Sequence, residues 1–172
     1  MNVKNYIYDV PDYPIKGITF KDITPLCGNG DAFQYVTDQF ERFARKLKAD
    51  VIFAPEARGF IFGCPVATKL GVGFVPVRKP SKLPREVIKE SYSLEYNSTE
   101  LDIHKDCIKK GHKVVIIDDL LATGGTLKAT CSLVEQLGGE VVGIACIVEL
   151  LGLGGREKLK GYNLFCLTED TE

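Results

Sequence analysis

The stretch Val114-Val115-Ile116-Ile117-Asp118-Asp119-Leu120-Leu121-Ala122-Thr123-Gly124-Gly125-Thr126 sets the architecture. Its four opening apolar residues predict a buried strand over Lys113–Ile117. Two acids stand at the carboxyl end of that strand. A short loop of small and hydroxyl residues follows, then a helix from about Gly125 to Leu137. Open α/β sheets bind ligands at this position. The amides of such a loop and its Thr hydroxyls suit a phosphate, and Gly lets the backbone come close. The acids suit the hydroxyls of a polyol, which a carboxylate accepts as donors. A phosphate at one end and a diol at the other describe a ribose 5-phosphate.

Working outward, the same alternation recurs. Asp31 stands as an N-cap before a helix over roughly Ala32–Leu47, with Phe33, Val36, Phe40, Phe43 and Leu47 as its apolar stripe. Val51–Ala54 reads as a short buried strand and Pro55–Gly59 as its loop. A helix over about Phe60–Leu70 contains an awkward Pro65. Gly73–Val77 reads as a strand, and so do Glu140–Val148 and Tyr162–Leu167. Gly138-Gly139 stops the helix before Glu140. Strands alternating with helices predict an α/β domain with an open, mainly parallel twisted sheet flanked by helices.

Two segments break the pattern. The opening stretch with Pro11, Pro14 and Gly17 reads as an irregular arm that ends in Ile18–Ile23. From Arg78 to about Asp102 the chain is basic, carries prolines and lacks periodicity. Tyr92–Tyr96 and Leu101–Ile103 read there as a short hairpin turning over Asn97–Glu100. An aperiodic stretch this long inside a compact domain is expected to be functional, and we read it as a flexible lid.

Composition narrows the class. At 172 residues the chain is long enough for one domain with a sizeable core. Its formal net charge of −1 argues against a nucleic-acid or anionic-membrane surface as the main partner. There is no apolar run of membrane-spanning length and no signal-peptide pattern, so a cytoplasmic protein is expected. The six cysteines include no CxxC pair, and the two histidines, His104 and His112, lie near only Cys107. That spacing disfavours zinc, and the cysteines read as small reduced hydrophobes.

At Val114–Thr126 the chain resembles the type I phosphoribosyltransferases, which bind 5-phosphoribosyl 1-pyrophosphate (PRPP). Five further blocks resemble the adenine-specific branch of that family. They are Pro14-x-x-Gly17-Ile18-x-Phe20-Lys21-Asp22-Ile23, Glu56-Ala57-Arg58-Gly59-Phe60, Arg78-Lys79-Pro80-x-Lys82-Leu83-Pro84, Ser91-Tyr92-Ser93-Leu94-Glu95-Tyr96 and Gly155-Arg156-Glu157-Lys158-Leu159. The resemblance runs in order from about Asp9 to Phe165. It departs at Asn97, where a glycine is usual, and in the tail Thr168–Glu172.

The resemblance implies a type I phosphoribosyltransferase fold over residues 1–172. About 9–27 would form an arm over the base site, and about 78–103 a flexible catalytic lid. It implies purine salvage: adenine and PRPP give AMP and pyrophosphate, with Mg²⁺ carried by PRPP and no direct metal ligand. A homodimer is implied, with neither nucleic acid nor membrane as partner.

Ala122, Thr123, Gly124, Gly125 and Thr126 would hold the 5′-phosphate, and Asp118 and Asp119 the ribose hydroxyls beside a transient oxocarbenium. Helix-terminal or solvated acids are the plainer reading of that pair. Arg58 would take the pyrophosphate with help from Arg78 and Lys79, whereas a surface arginine paired to Glu56 is the plainer alternative. Lys82 and Arg85 in the lid are weaker candidates for the same charge. The family's cis peptide would fall at Glu56–Ala57. Phe20 would stack on adenine, with backbone at about Thr19 and Lys21 reading its edge; a core aromatic tying down the arm competes with that role. Glu95 in the lid would move a proton, at purine N7, with Tyr96 near the attacking side. Two other functions stay open: a phosphoribosyltransferase for a 6-oxopurine or orotate, and a non-catalytic PRPP-binding regulator.

Overall fold

The computed structural model describes residues 1–93 and 97–171. A short 3-10 turn at Val3–Tyr6 leads into a two-stranded antiparallel ribbon, β1 (Tyr8–Pro11) and β2 (Thr19–Asp22), with Val10 opposite Phe20. The arm is therefore paired at its two flanks and irregular over 12–18 between them, where the Tyr13–Pro14 peptide is cis. Two helices follow, α1 (Thr24–Gly28) and α2 (Gly30–Lys46). Asn29, not Asp31, caps α2: its side chain accepts the Ala32 amide at 2.9 Å. Asp31 falls in the first turn instead, where a negative charge suits the helix dipole.

The central sheet has five parallel strands in the order β4-β3-β7-β8-β9. They are β3 (Val51–Pro55), β4 (Gly73–Val77), β7 (Lys113–Leu121), β8 (Glu140–Leu150) and β9 (Leu164–Asp170). Helix α3 (Arg58–Leu70) connects β3 to β4, and α4 (Gly125–Gln136) connects β7 to β8. Pro65 does not break α3, which continues through it as one element.

Alternation along the strands divides the apolar residues between two cores. Val115, Ile117, Ala145 and Ile147 pack with α1, α2 and α3 on one face. Val114, Ile116, Ile144 and Cys146 pack with Leu127, Cys131 and Val134 of α4 on the other. With both faces covered, the strands need to be apolar throughout, as their composition predicts.

Strands β7, β8 and β9 run past their expected ends, β8 to Leu150 rather than Val148. β7 runs to Leu121, so Asp118 and Asp119 are strand residues, because their backbone keeps pairing with Cys146 through Val148 of β8. β9 ends at Asp170 and absorbs most of the tail.

The lid region contains the hairpin β5 (Val87–Ser93) and β6 (Ser98–His104), with Ser93 opposite Ser98. Ser98, Thr99 and Glu100, expected in the turn, are paired strand residues of β6. The hairpin is docked rather than detached: Leu101 and Ile103 are buried in the α4-side core, and Asp102 exchanges two backbone hydrogen bonds with Arg78.

Among the described residues no helix is long and apolar enough to cross a membrane. The chain also holds a short helix α5 (Gly155–Lys158).

Candidate active site

The order β4-β3-β7-β8 sends the chain outward in opposite directions from β3 and β7. That reversal opens a crevice beyond the carboxyl ends of those two strands. A cavity of about 240 Å³ lies there. Glu56, Ala57 and Arg58 line it after β3, Asp118–Leu127 line it from β7 into α4, and Tyr92 lines it from the hairpin.

The phosphate-type loop is built by backbone geometry. Gly124 is the N-cap of α4 at φ +84°, a left-handed conformation that favours glycine. No side chain among the described residues caps the helix, so its first amides lack an intrahelical partner, and Gly125, Thr126 and Leu127, which carry them, line the cavity. Their partial positive charge makes the spot an anion site. Gly125 is buried, and a Cβ there would come within 3.0 Å of the Tyr92 ring. The Tyr92 hydroxyl lies 2.9 Å from Thr126 Oγ1. Tyr92 was not among the expected site residues. The signal was available, since it is the aromatic centre of Ser91-Tyr92-Ser93, but only folding brings it 34 positions along the chain to Thr126.

The acid pair is held at short range. The Asp119 amide donates to Asp118 Oδ1 at 2.9 Å. Burial first, and the neighbouring Asp119 charge second, push the Asp118 carboxyl well above the ordinary carboxylate value. Asp119 is almost fully buried, and its Oδ2 lies 3.0 Å from Arg58 Nε. That charge contact lacks hydrogen-bond alignment, which leaves Oδ2 with no hydrogen-bond partner among the described residues. A buried carboxylate oxygen in that condition is an acceptor for a ligand hydroxyl.

Arg58 is the first residue of α3 and joins three parts of the site. Besides Asp119, its guanidinium carbon lies 4.8 Å from the centroid of the Phe20 ring. Its Nη1 also donates to the Lys21 carbonyl at 3.4 Å. Arg58 is not paired with Glu56, and the peptide between Glu56 and Ala57 is cis.

Arg78 and Lys79 are placed elsewhere. Glu56 accepts from Arg78 Nε at 3.0 Å and from the Lys79 amide at 2.7 Å. Burial opposes charge on Glu56, but those two donors outweigh it and hold the carboxyl below its usual value. Neither basic side chain lines the cavity. Arg85 pairs with Asp106 at the surface.

Phe20 is half-buried, edge-on to Tyr13 at 5.2 Å. With Tyr13, Val10, Asp22 and Thr24 it lines a second, open cavity of about 290 Å³ on the arm. The Lys21 side chain turns away from both cavities. It is fully buried, with Nζ 2.8 Å from Asp9 Oδ1 and 2.9 Å from Asp170 Oδ2. Thr19 pairs with Pro11 in the ribbon. Glu95 and Tyr96 lie outside the described residues.

Two thiols, Cys107 and Cys131, lie outside the residues that line the crevice. Burial pushes Cys107 up to about 11 and Cys131 up to about 12, so neither forms a thiolate at neutral pH.

A crevice lined by a glycine-threonine loop at a helix N-terminus, two acids and an arginine narrows the class, and comparison with known proteins names it. Residues 34–171 match the phosphoribosyl transferase domain, and the chain belongs to the phosphoribosyltransferase family. Within that family its similarity is to adenine phosphoribosyltransferases. It is 52% identical to the one from Thermoanaerobacter pseudethanolicus over 98% of both chains, with a TM-score of 0.94. The one from Rhodothermus marinus is 42% identical over 98% of this chain and 96% of that one, with a TM-score of 0.93. The Saccharomyces cerevisiae enzyme is 41% identical over 96% of each chain, with a TM-score of 0.91. Its structure holds D-2,5-dideoxy-2,5-imino-altritol 1,6-bisphosphate and adenine.

Proposed function

We propose that this chain transfers the phosphoribosyl group of PRPP to adenine, giving AMP and pyrophosphate. The carrying observation is the convergence on one crevice of an uncapped helix N-terminus, the half-buried Asp118, the buried Asp119 and Arg58, in a chain 52% identical to an adenine phosphoribosyltransferase.

In the reaction a bond forms between the base nitrogen and the anomeric carbon. The bond from that carbon to pyrophosphate breaks, and pyrophosphate leaves with the electron pair. The ribose ring passes through oxocarbenium character. The amides and hydroxyls of Ala122, Thr123, Gly124, Gly125 and Thr126 take the 5′-phosphate. Asp118 and Asp119 accept from the ribose hydroxyls, and their charge favours the transient cation beside them. The unpartnered Asp119 Oδ2 supports that role.

Arg58 binds the pyrophosphate through its planar fork. Arg78 assists only if its side chain leaves Glu56, and the Lys79 side chain does not line the crevice, so both rank below Arg58. Mg²⁺ arrives as part of the substrate, the Mg²⁺–PRPP complex; the two acids then serve the sugar rather than the metal. Phe20 stacks on adenine, and backbone at Thr19 and Lys21 reads its edge. Glu95 moves the proton on the base. Residues 9–27 act as the base-binding arm and 78–103 as the lid of a single domain. The working form is a cytoplasmic homodimer, which sedimentation tests; a monomer at assay concentration would overturn the dimer.

The deciding assay offers purified protein Mg²⁺–PRPP with adenine, guanine or hypoxanthine. Adenine offers an N6 donor and an N1 acceptor, and a 6-oxopurine reverses that pattern, so a site built for one leaves buried groups unpaired with the other. AMP formation with at least about 1,000-fold preference over the 6-oxopurines is expected. Equal rates would replace the adenine assignment, and no turnover with any base would remove the enzymatic one.

A further inference from the structure

The block Gly155–Leu159 has no part in the chemistry described so far, yet it touches the phosphate loop from behind. Glu149 lies next to the end of β8, between Leu121 of β7 and Glu169 of β9 in register. Its side chain is 5% exposed. A buried carboxylate needs a partner, and Arg156 of α5 supplies a fork. Arg156 Nε stands 3.0 Å from both Glu149 oxygens, and its Nη2 also reaches Oε2.

That fork draws the turn containing Gly152 and Gly154, both left-handed, back over the end of the sheet. The residue brought into place is Gly155, which is buried. A Cβ on Gly155 would collide with the Ala122 carbonyl and lie 2.7 Å from Leu121 Cδ1. From the other side, a Cβ on Gly124 would lie 3.1 Å from the Gly155 carbonyl oxygen and 3.2 Å from its Cα. Two backbones therefore meet with no side chain between them. One of them carries the N-cap of α4.

We propose that Glu149 and Arg156 are positioning residues for 5′-phosphate binding: their ion pair seats Gly155 as the rear wall of Ala122–Gly124 and so aims the loop amides. This rests on the reading of that loop as the 5′-phosphate site. The pyrophosphate end depends on Arg58, which reaches the crevice from β3 and α3 and makes no contact with this wall. The two ends of the ligand should therefore respond differently to loss of the pair.

Ribose 5-phosphate and Mg²⁺–pyrophosphate, titrated separately by calorimetry, read the two ends. Arg156→Met should weaken ribose 5-phosphate by about tenfold or more, since small misplacements of binding groups are costly, and leave pyrophosphate within about twofold. Arg156→Lys, which keeps the charge but loses the fork, should fall between wild type and Arg156→Met. Gly155→Ala should reproduce the selective loss with the ion pair intact, and it covers the case in which Arg156→Met fails to fold. Unchanged ribose 5-phosphate affinity in a folded Arg156→Met or Gly155→Ala variant would overturn the proposal. Equal weakening of both ligands would also overturn it, because it marks a pair that serves stability alone. Failure of the wild type to bind ribose 5-phosphate would instead remove the reading of the loop.

Discussion

The Arg58 guanidinium carbon lies 4.8 Å from the centroid of the Phe20 ring, so a cation covers an aromatic face proposed for the purine. The same side chain is the proposed pyrophosphate ligand. One residue thus stands between the two substrate sites, and a polyanion that draws Arg58 toward itself uncovers Phe20. Adenine should accordingly bind more tightly in the presence of Mg²⁺–pyrophosphate than without it. Calorimetry of adenine with and without pyrophosphate tests this, and equal affinities would separate Arg58 from the base site.

Replacing Arg58 removes a bidentate charged contact worth about 2–3 kcal/mol. Arg58→Ala should lower kcat/KM for PRPP by about 100-fold, and Arg58→Lys should recover only part of that loss. Steady-state kinetics at saturating adenine measure both. An Arg58→Ala enzyme within about threefold of wild type would take pyrophosphate binding away from this residue.

Asp118 gives a prediction with a sign. Its carboxyl titrates well above the ordinary value because burial and Asp119 oppose its charge. In that window the folded state binds a proton that the unfolded state does not. Stability therefore falls as pH rises from the unfolded value through the raised one. Asp118→Asn should make the protein more heat-stable at neutral pH while turnover drops by at least about 100-fold. Calorimetric melting and the AMP assay together check this; a less stable variant would contradict the buried-charge argument.

Lys21 ties the arm to the last strand. Burial alone would lower its pKa, but hydrogen bonds to Asp9 and Asp170 outweigh burial and hold it above the usual lysine value. Lys21 in turn holds Asp170 below the ordinary aspartate value. The stability from Asp170 is therefore complete above the unfolded aspartate value, about 4, and fades as pH falls through the lower folded one. Lys21→Met should cost about 2 kcal/mol near neutrality and less in acid. Urea titrations at pH 7 and pH 3 read the difference, and a cost independent of pH would show the pair to be inert.

The hydrogen bond between the Tyr92 and Thr126 hydroxyls fastens the hairpin to the phosphate loop. Tyr92→Phe keeps the ring against Gly125 and removes only that bond, about 1 kcal/mol. Amide exchange should rise across Val87–Ser93 and Ser98–His104, with α2 as an unaffected control. Exchange at wild-type rates in the hairpin would show that ring packing alone docks it.

Much of the architecture was legible because it depends on local chemistry. Apolar runs of strand length, Gly-Gly stops and a helical stripe on α2 lead to an α/β sheet without any knowledge of tertiary contacts. The boundaries slipped where pairing overrode composition. Asp118 and Asp119 look like loop residues by polarity, but β8 keeps their backbone in register. The polar tail joins β9 for the same reason, and there Asp170 meets Lys21.

The sequence by itself determined the kind of ligand: small residues and hydroxyls after paired acids suit a phosphate and a diol wherever the fold carries them. Only the tertiary structure decided which charged groups face that ligand. Arg58 and Arg78 are equivalent as letters, yet one closes on Asp119 and the other is held by Glu56. The Lys21 side chain is held as a buried clamp between Asp9 and Asp170. Tyr92, Glu149 and Gly155 acquire their places only through contacts made across the fold. A charge's partner depends on distance and burial, and neither quantity exists until the chain has folded.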